Sequence, residues 1–219
     1  MPPKTHPGVS KLVRHCAYMK SVRDLYGAPP PRLLEPGFPA LLRIIVDQQV
    51  STHAGAAIWR KLESNLKGKI EPKSIIRAGE DLLRGSGFSR GKTRYALGLS
   101  EAIVQGDLDL DGLVKLDDAA AQSELVKIKG IGRWTAEIYL MFSLGRPDIM
   151  PSGDLALQVA AGTLLGMDER PSIKDLDAIA ERWRPYRSTA AVMLWHYYRH
   201  TKAGGGGEPA RQYSRQRQS

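Results

Sequence analysis

The stretch LVKIKGIGRWTAEIYLMF, residues 125–142, decides the fold. An apolar helical end runs into Gly130-Ile131-Gly132, and a second helix starts directly after it. Two glycines around one apolar residue permit a very tight turn, because glycine accepts positive φ and has no side chain to clash. Ile131 can pin such a turn to a core. The amides of Gly130, Gly132 and the first turn of the next helix then point outward, and free amides at a helix N-terminus bind anions. A phosphodiester fits there without any base being read. Lys127, Lys129 and Arg133 flank the turn with positive charge. A Gly-x-Gly alone favours an ordinary corner between two helices; the full string shifts the balance.

Outward from this hairpin the chain reads as helical throughout. Val9, Leu12, Val13, Cys16, Met19, Val22 and Leu25 fall at three- and four-residue spacing and make one face of a helix over 8–26. Pro29, Pro30 and Pro31 end it. Further helices are expected over 38–49, 51–66, 72–84, 89–105, 117–127, 134–144, 154–165, 173–183 and 187–200, with glycines and prolines at the joints. No stretch alternates as a strand does, so the class is all-α. Residues 1–203 make the helical core. Residues 204–219, GGGGEPARQYSRQRQS, read as a flexible basic tail.

The formal net charge of +9 attracts polyanions, above all nucleic acid. A single cysteine, Cys16, excludes an internal disulfide and any four-cysteine metal or iron–sulfur site. No apolar run is long enough to span a bilayer, and the N-terminus lacks the apolar region of a signal peptide. These features predict a cytoplasmic protein, without a membrane partner, that would associate with the nucleoid when on DNA.

After the hairpin, GRPDIMPSGD leads to Asp154 and then to the apolar run Leu155-Ala-Leu-Gln-Val-Ala-Ala161. Asp154 is placed to cap that helix. Hairpin and aspartate together, 22 residues apart from Gly132 to Asp154, resemble the helix-hairpin-helix superfamily of DNA glycosylases (HhH-GPD), specifically its alkylpurine branch, the DNA-3-methyladenine glycosylase II type. Three further segments support the resemblance in order along the chain: Asp47-Gln-Gln-Val-Ser51, the turn Leu83 to Lys92, and Glu181-Arg-Trp-Arg-Pro-Tyr-Arg-Ser188. The family's fold, two helical subdomains with a DNA-binding cleft between them, is the expectation that follows. The short stretch before Gln48 leaves no space for the N-terminal α/β domain of some bacterial members.

The resemblance implies a catalytic role for Asp154. Breaking an N-glycosidic bond puts positive charge on the sugar, and a fixed carboxylate stabilises it. No general acid is needed when the departing base is already cationic, as 3-methyladenine and 7-methylguanine are. The lysine by which bifunctional members form a Schiff base with the sugar is replaced here by Trp134, so hydrolysis without abasic-site lyase activity is expected. Trp134 and Tyr186 are the candidate aromatic walls for a flipped base, with Tyr139 a third for which a core position is the better reading. Gln49, with Gln48 beside it, matches the wedge that fills the gap left by the base. Gly130, Gly132, Arg133, Lys92 and Lys129 are the candidate phosphate contacts. No cofactor and no catalytic metal are implied, although hairpin carbonyls, here those of Lys127 and Gly130, can hold a monovalent cation in this family. The partner is double-stranded DNA carrying an alkylated or damaged base, approached by a monomer. A non-catalytic hairpin module that only binds DNA, and a glycosylase for another damaged base, are the competing readings.

Overall fold

The computed structural model describes residues 6 and 8–203; the basic tail expected over 204–219 lies outside the described residues. Every regular element among them is helical, as the periodicity predicts. In chain order the α-helices are α1 (Val9–His15), α2 (Ala17–Tyr26), α3 (Phe38–Asp47), α4 (Thr52–Asn65), α5 (Pro72–Gly85), α6 (Arg90–Gln105), α7 (Asp118–Val126), α8 (Arg133–Phe142), α9 (Leu155–Leu165), α10 (Ile173–Ala180) and α11 (Arg187–Ala203). Short 3-10 turns occupy Gly112–Lys115 and Glu181–Trp183. The single helix expected over 8–26 is two: Cys16 takes an extended conformation (φ −133°, ψ 108°) and breaks it. The apolar spacing runs on across the break, so periodicity alone did not reveal it.

The chain folds as two compact units. Among the described residues, one contains Leu33–Gly145 and the other the residues before Leu33 together with 146–203. In the first, α3 is the central helix. Phe38, Leu41, Leu42, Ile44, Ile45 and Val46 are all buried, and α4, α6 and α8 pack against it. Helix α8 is apolar on nearly every side, with Thr135 through Phe142 buried, so it runs through the interior of this unit. The helix starts are specified locally. Ser51 accepts the Ala54 amide, Ser89 that of Lys92, and Asp117 that of Ala120, each such cap contributing roughly 1 kcal/mol.

In the second unit α11 is the hub, packed by α1, α2 and α9. Small residues let α9 approach closely: Ala160 and Ala161 on α9 and Ala190 and Ala191 on α11 are essentially inaccessible to solvent. Trp183, Met193, Leu194 and Tyr197 fill the space around them. Ser172 and Asp175 form a reciprocal capping box at the start of α10, and Gly166, in the left-handed region at φ 68°, closes α9.

Candidate active site and nucleic-acid interface

The hairpin joins α7 to α8. Ile131 is 3% exposed and anchors the turn, as its position between two glycines predicts. Gly130 adopts φ 97°, and a Cβ there would overlap the ring of Tyr95 on α6. Only glycine satisfies both conditions. Gly132 is extended (φ −87°, ψ 175°) and serves as the N-cap of α8 with no side-chain cap. The first-turn amides of α8 therefore begin beside an exposed residue that has no side-chain acceptor. Lys129 is exposed. Arg133 donates from Nε to Glu137 Oε1 at 2.7 Å, with its own side chain 49% exposed and that of Glu137 at 4%. Lys127 is exposed and ion-paired with Glu124 at 2.7 Å.

The α3–α4 junction lies in the same unit. Gln49 is exposed and sits in the left-handed region, φ 53°, a conformation rare for a residue with a Cβ. Gln48, expected beside it as part of a wedge, is committed elsewhere. Its Nε2 donates to the carbonyl of Gly130 at 3.1 Å and to Thr135 Oγ1 at 2.8 Å. It is a strut between the junction and the hairpin, alongside the packing of α3 on α8.

Two more expected site residues are corrected. Lys92, read as a phosphate contact, turns inward and donates from Nζ to the carbonyl of Val46 at 2.6 Å. It caps the C-terminal end of α3, where a cation complements the exposed carbonyls. Burial holds its pKa below the usual lysine value, with the charge of Asp47 opposing that shift. Tyr139, read as a possible pocket wall, is fully buried, and its hydroxyl accepts the Gly37 amide at 2.9 Å. Burial raises its pKa, partly offset by the Gly37 contact. A ring with no exposed surface cannot stack on a base. Trp134, by contrast, is half-buried on the first turn of α8.

In the other unit, Asp154 is the N-cap of α9 and is half-buried. Its Oδ1 accepts the Leu157 amide at 3.1 Å and the indole Nε1–H of Trp195, on α11, at 3.2 Å. The loop before it is stapled to the start of α11. Ser188 Oγ donates to the Arg146 carbonyl at 2.6 Å and accepts the Ile149 amide at 3.0 Å. Arg187 grips Asp148 through Nε at 2.9 Å and through a second nitrogen at 3.0 Å, and Arg184 adds an ion pair at 3.4 Å. Asp148, which reads from sequence as a loop or surface residue, is only 16% exposed and serves as the anchor of this loop. Gln158 completes it by donating to the Ser152 carbonyl at 2.8 Å. Tyr186 follows a cis Arg184–Pro185 peptide, is half-buried, and lies with its ring 5.9 Å from the ammonium of Lys11. Trp195 escaped the sequence reading. Its spacing on α11 is that of a core residue, and nothing local distinguishes it.

Comparison with known proteins bears on this arrangement. Residues 42–185 match the family described as HhH-GPD superfamily base excision DNA repair protein. YfjP of Bacillus subtilis is 36% identical over 125 residues, a match that spans 57% of this chain but 44% of that one. The alkylbase DNA glycosidase-like protein mag2 of Schizosaccharomyces pombe is 30% identical over 162 residues, spanning 72% of this chain and 76% of the relative. Among solved structures, the 3-methyladenine DNA glycosylase Mag1 of the same yeast, in complex with abasic DNA, superposes with a TM-score of 0.78 at 28% identity, covering 88% of this chain and 97% of that one. No helix among the described residues is long and apolar enough to cross a membrane.

Proposed function

The chain belongs to the HhH-GPD superfamily of base excision DNA repair proteins, and from that premise we propose that it is a monofunctional glycosylase that hydrolyses the N-glycosidic bond of alkylated purines such as 3-methyladenine and 7-methylguanine in double-stranded DNA. The observation that carries the proposal is the Asp154 carboxylate, fixed at the start of α9 by the Leu157 amide and the Trp195 indole. A carboxylate held in advance needs no reorganisation when positive charge develops on the sugar, and it can orient the attacking water. A cationic base leaves without protonation, so a single carboxylate suffices and no general acid is needed. The DNA-3-methyladenine glycosylase and alkylbase glycosidase names of the relatives support the substrate class.

The remaining roles are part of the same proposal, and the geometry within each unit supports them. The uncapped start of α8 at Gly132, with Gly130, Lys129 and Arg133, receives a phosphate of the backbone. A monovalent cation on the carbonyl oxygens of Lys127 and Gly130 would add positive charge at the same turn; the Gly130 carbonyl, with two lone pairs, accepts one bond from Gln48 and keeps acceptor capacity. Gln49, exposed and in a left-handed conformation, fills the gap left by the extruded nucleotide. Trp134 and Tyr186 provide aromatic faces for a cationic base, an attraction of about 0.5–2 kcal/mol each. With tryptophan at position 134 and no amine to form a Schiff base, the product is an intact abasic site. The enzyme acts as a monomer in the cytoplasm, on the nucleoid when bound to DNA.

The test is to incubate the protein and its Asp154→Asn variant with DNA treated by a methylating agent and to identify released bases by chromatography. Release of 3-methyladenine or 7-methylguanine by the wild type and little by the variant is expected, with no strand cleavage and no borohydride-trapped adduct. A wild type that binds the DNA and releases nothing would leave a binding module.

A further inference from the structure

The unit that holds Asp154 contains two tryptophans with opposite use of their indole N–H. Trp183 is 1% exposed, and its Nε1 has no hydrogen-bond partner among the described residues; it is core filling. Trp195 is half-buried, and its Nε1 donates to Asp154 Oδ1 at 3.2 Å across 41 residues of sequence. The two residues on either side of Trp195, Leu194 and His196, are both buried, so α11 is held rigidly at this position. The start of the same helix is bound to the 146–150 segment through Ser188 and Arg187. Helix α11 thus grips the aspartate loop at one end and the aspartate itself about two turns further on.

We infer that Trp195 is a positioning residue for the reaction: its indole N–H fixes the plane of the Asp154 carboxylate by engaging the same oxygen that caps α9. The N-cap bond from Leu157 holds Oδ1 from its own helix. A second donor at Oδ1, the Trp195 indole on α11, restrains the carboxylate from another direction. Indole is suited to the task because its N–H is a donor only. It cannot accept a proton from water or exchange roles with the carboxylate, and a planar ring wedged in a helix has few rotamers. Fixing an electrostatic group in advance of the charge it stabilises is what makes it effective. This inference rests on the glycosylase reading above.

The test combines Trp195→Phe, which keeps the ring and removes the N–H, with Asp154→Asn and the double variant. Single-turnover release of 7-methylguanine from methylated duplex DNA is expected to fall about tenfold in Trp195→Phe, the weight of one hydrogen bond to a charged group, with unchanged affinity for the DNA. In the Asp154→Asn background the same change has no further effect, because residues acting as one unit are non-additive. Independently of activity, Trp195→Phe identifies the Trp195 indole resonance among the four tryptophans in a ¹⁵N spectrum of the wild type. That resonance moves in Asp154→Asn while the Trp183 one does not. A Trp195→Phe enzyme with the wild-type rate, an equal loss in both backgrounds, or a Trp195 resonance indifferent to Asp154→Asn would overturn the inference while leaving the glycosylase reading intact. Absence of base release by the wild type would overturn both.

Discussion

Helices α8 and α9 begin in opposite ways. Helix α8 starts at an exposed glycine with no side chain to cap it; α9 starts at an aspartate whose carboxylate accepts the Leu157 amide. Both starts carry the same orphan amides and the same positive end of a helix dipole. One has no side chain at its cap and is the start proposed to receive a phosphate; the other already holds an anion of the protein's own. An identical backbone element can thus be a receptor or a mount, and a single residue at the cap decides which.

The comparison can be broken most severely at Asp154. Asparagine caps a helix about as well as aspartate, so Asp154→Asn keeps α9 while removing the charge. Base release is expected to fall by about 10²–10³-fold, the usual weight of a preorganised charge-stabilising group, with the unfolding midpoint nearly unchanged in urea. Next is Gly130→Ala, which puts a Cβ into the Tyr95 ring at φ 97°. The backbone cost of roughly 1–2 kcal/mol adds to the overlap, and a lower urea midpoint together with weaker DNA binding should follow. The sharpest test converts one start into the other. A Cβ at Gly132 meets nothing within 4 Å, and its extended backbone suits a cap. Gly132→Asp is expected to stabilise the protein by roughly 0.2–0.5 kcal/mol while weakening DNA binding about tenfold, as fluorescence anisotropy would read. A variant both more stable and equally tight on DNA would show that α8 does not receive a phosphate. The smallest effect is Lys129→Ala, which should reduce the slope of log affinity against log salt by about one without altering stability.

What could be read from sequence was what is local. The helices, the glycine turn and the reading of Asp154 as a helix cap all follow from residues within a few positions of one another; its catalytic reading needed only the hairpin 22 residues before it. The residues read differently in the structure are those with distant partners. Gln48 answers to Gly130 and Thr135, 82 and 87 positions away. Tyr139 answers to Gly37 at a separation of 102, and Lys92 to Val46 at 46. Each is a polar side chain beside apparently functional neighbours, and its local pattern is the same whether it faces solvent or the interior. Trp195 is the converse. Its spacing is that of a core residue, and only the arrival of Asp154 from another part of the chain gives its N–H a role.

The Gln48 strut has a mechanical consequence. The amide ties the backbone of the glycine turn to the residue immediately before Gln49, so the height of one above the protein surface and the depth of the other are a single coordinate. A body that leans on Gln49 strains the same short linkage that positions the hairpin's carbonyl. The two loops therefore yield together or stay put together, and neither can be tuned by selection without retuning the other.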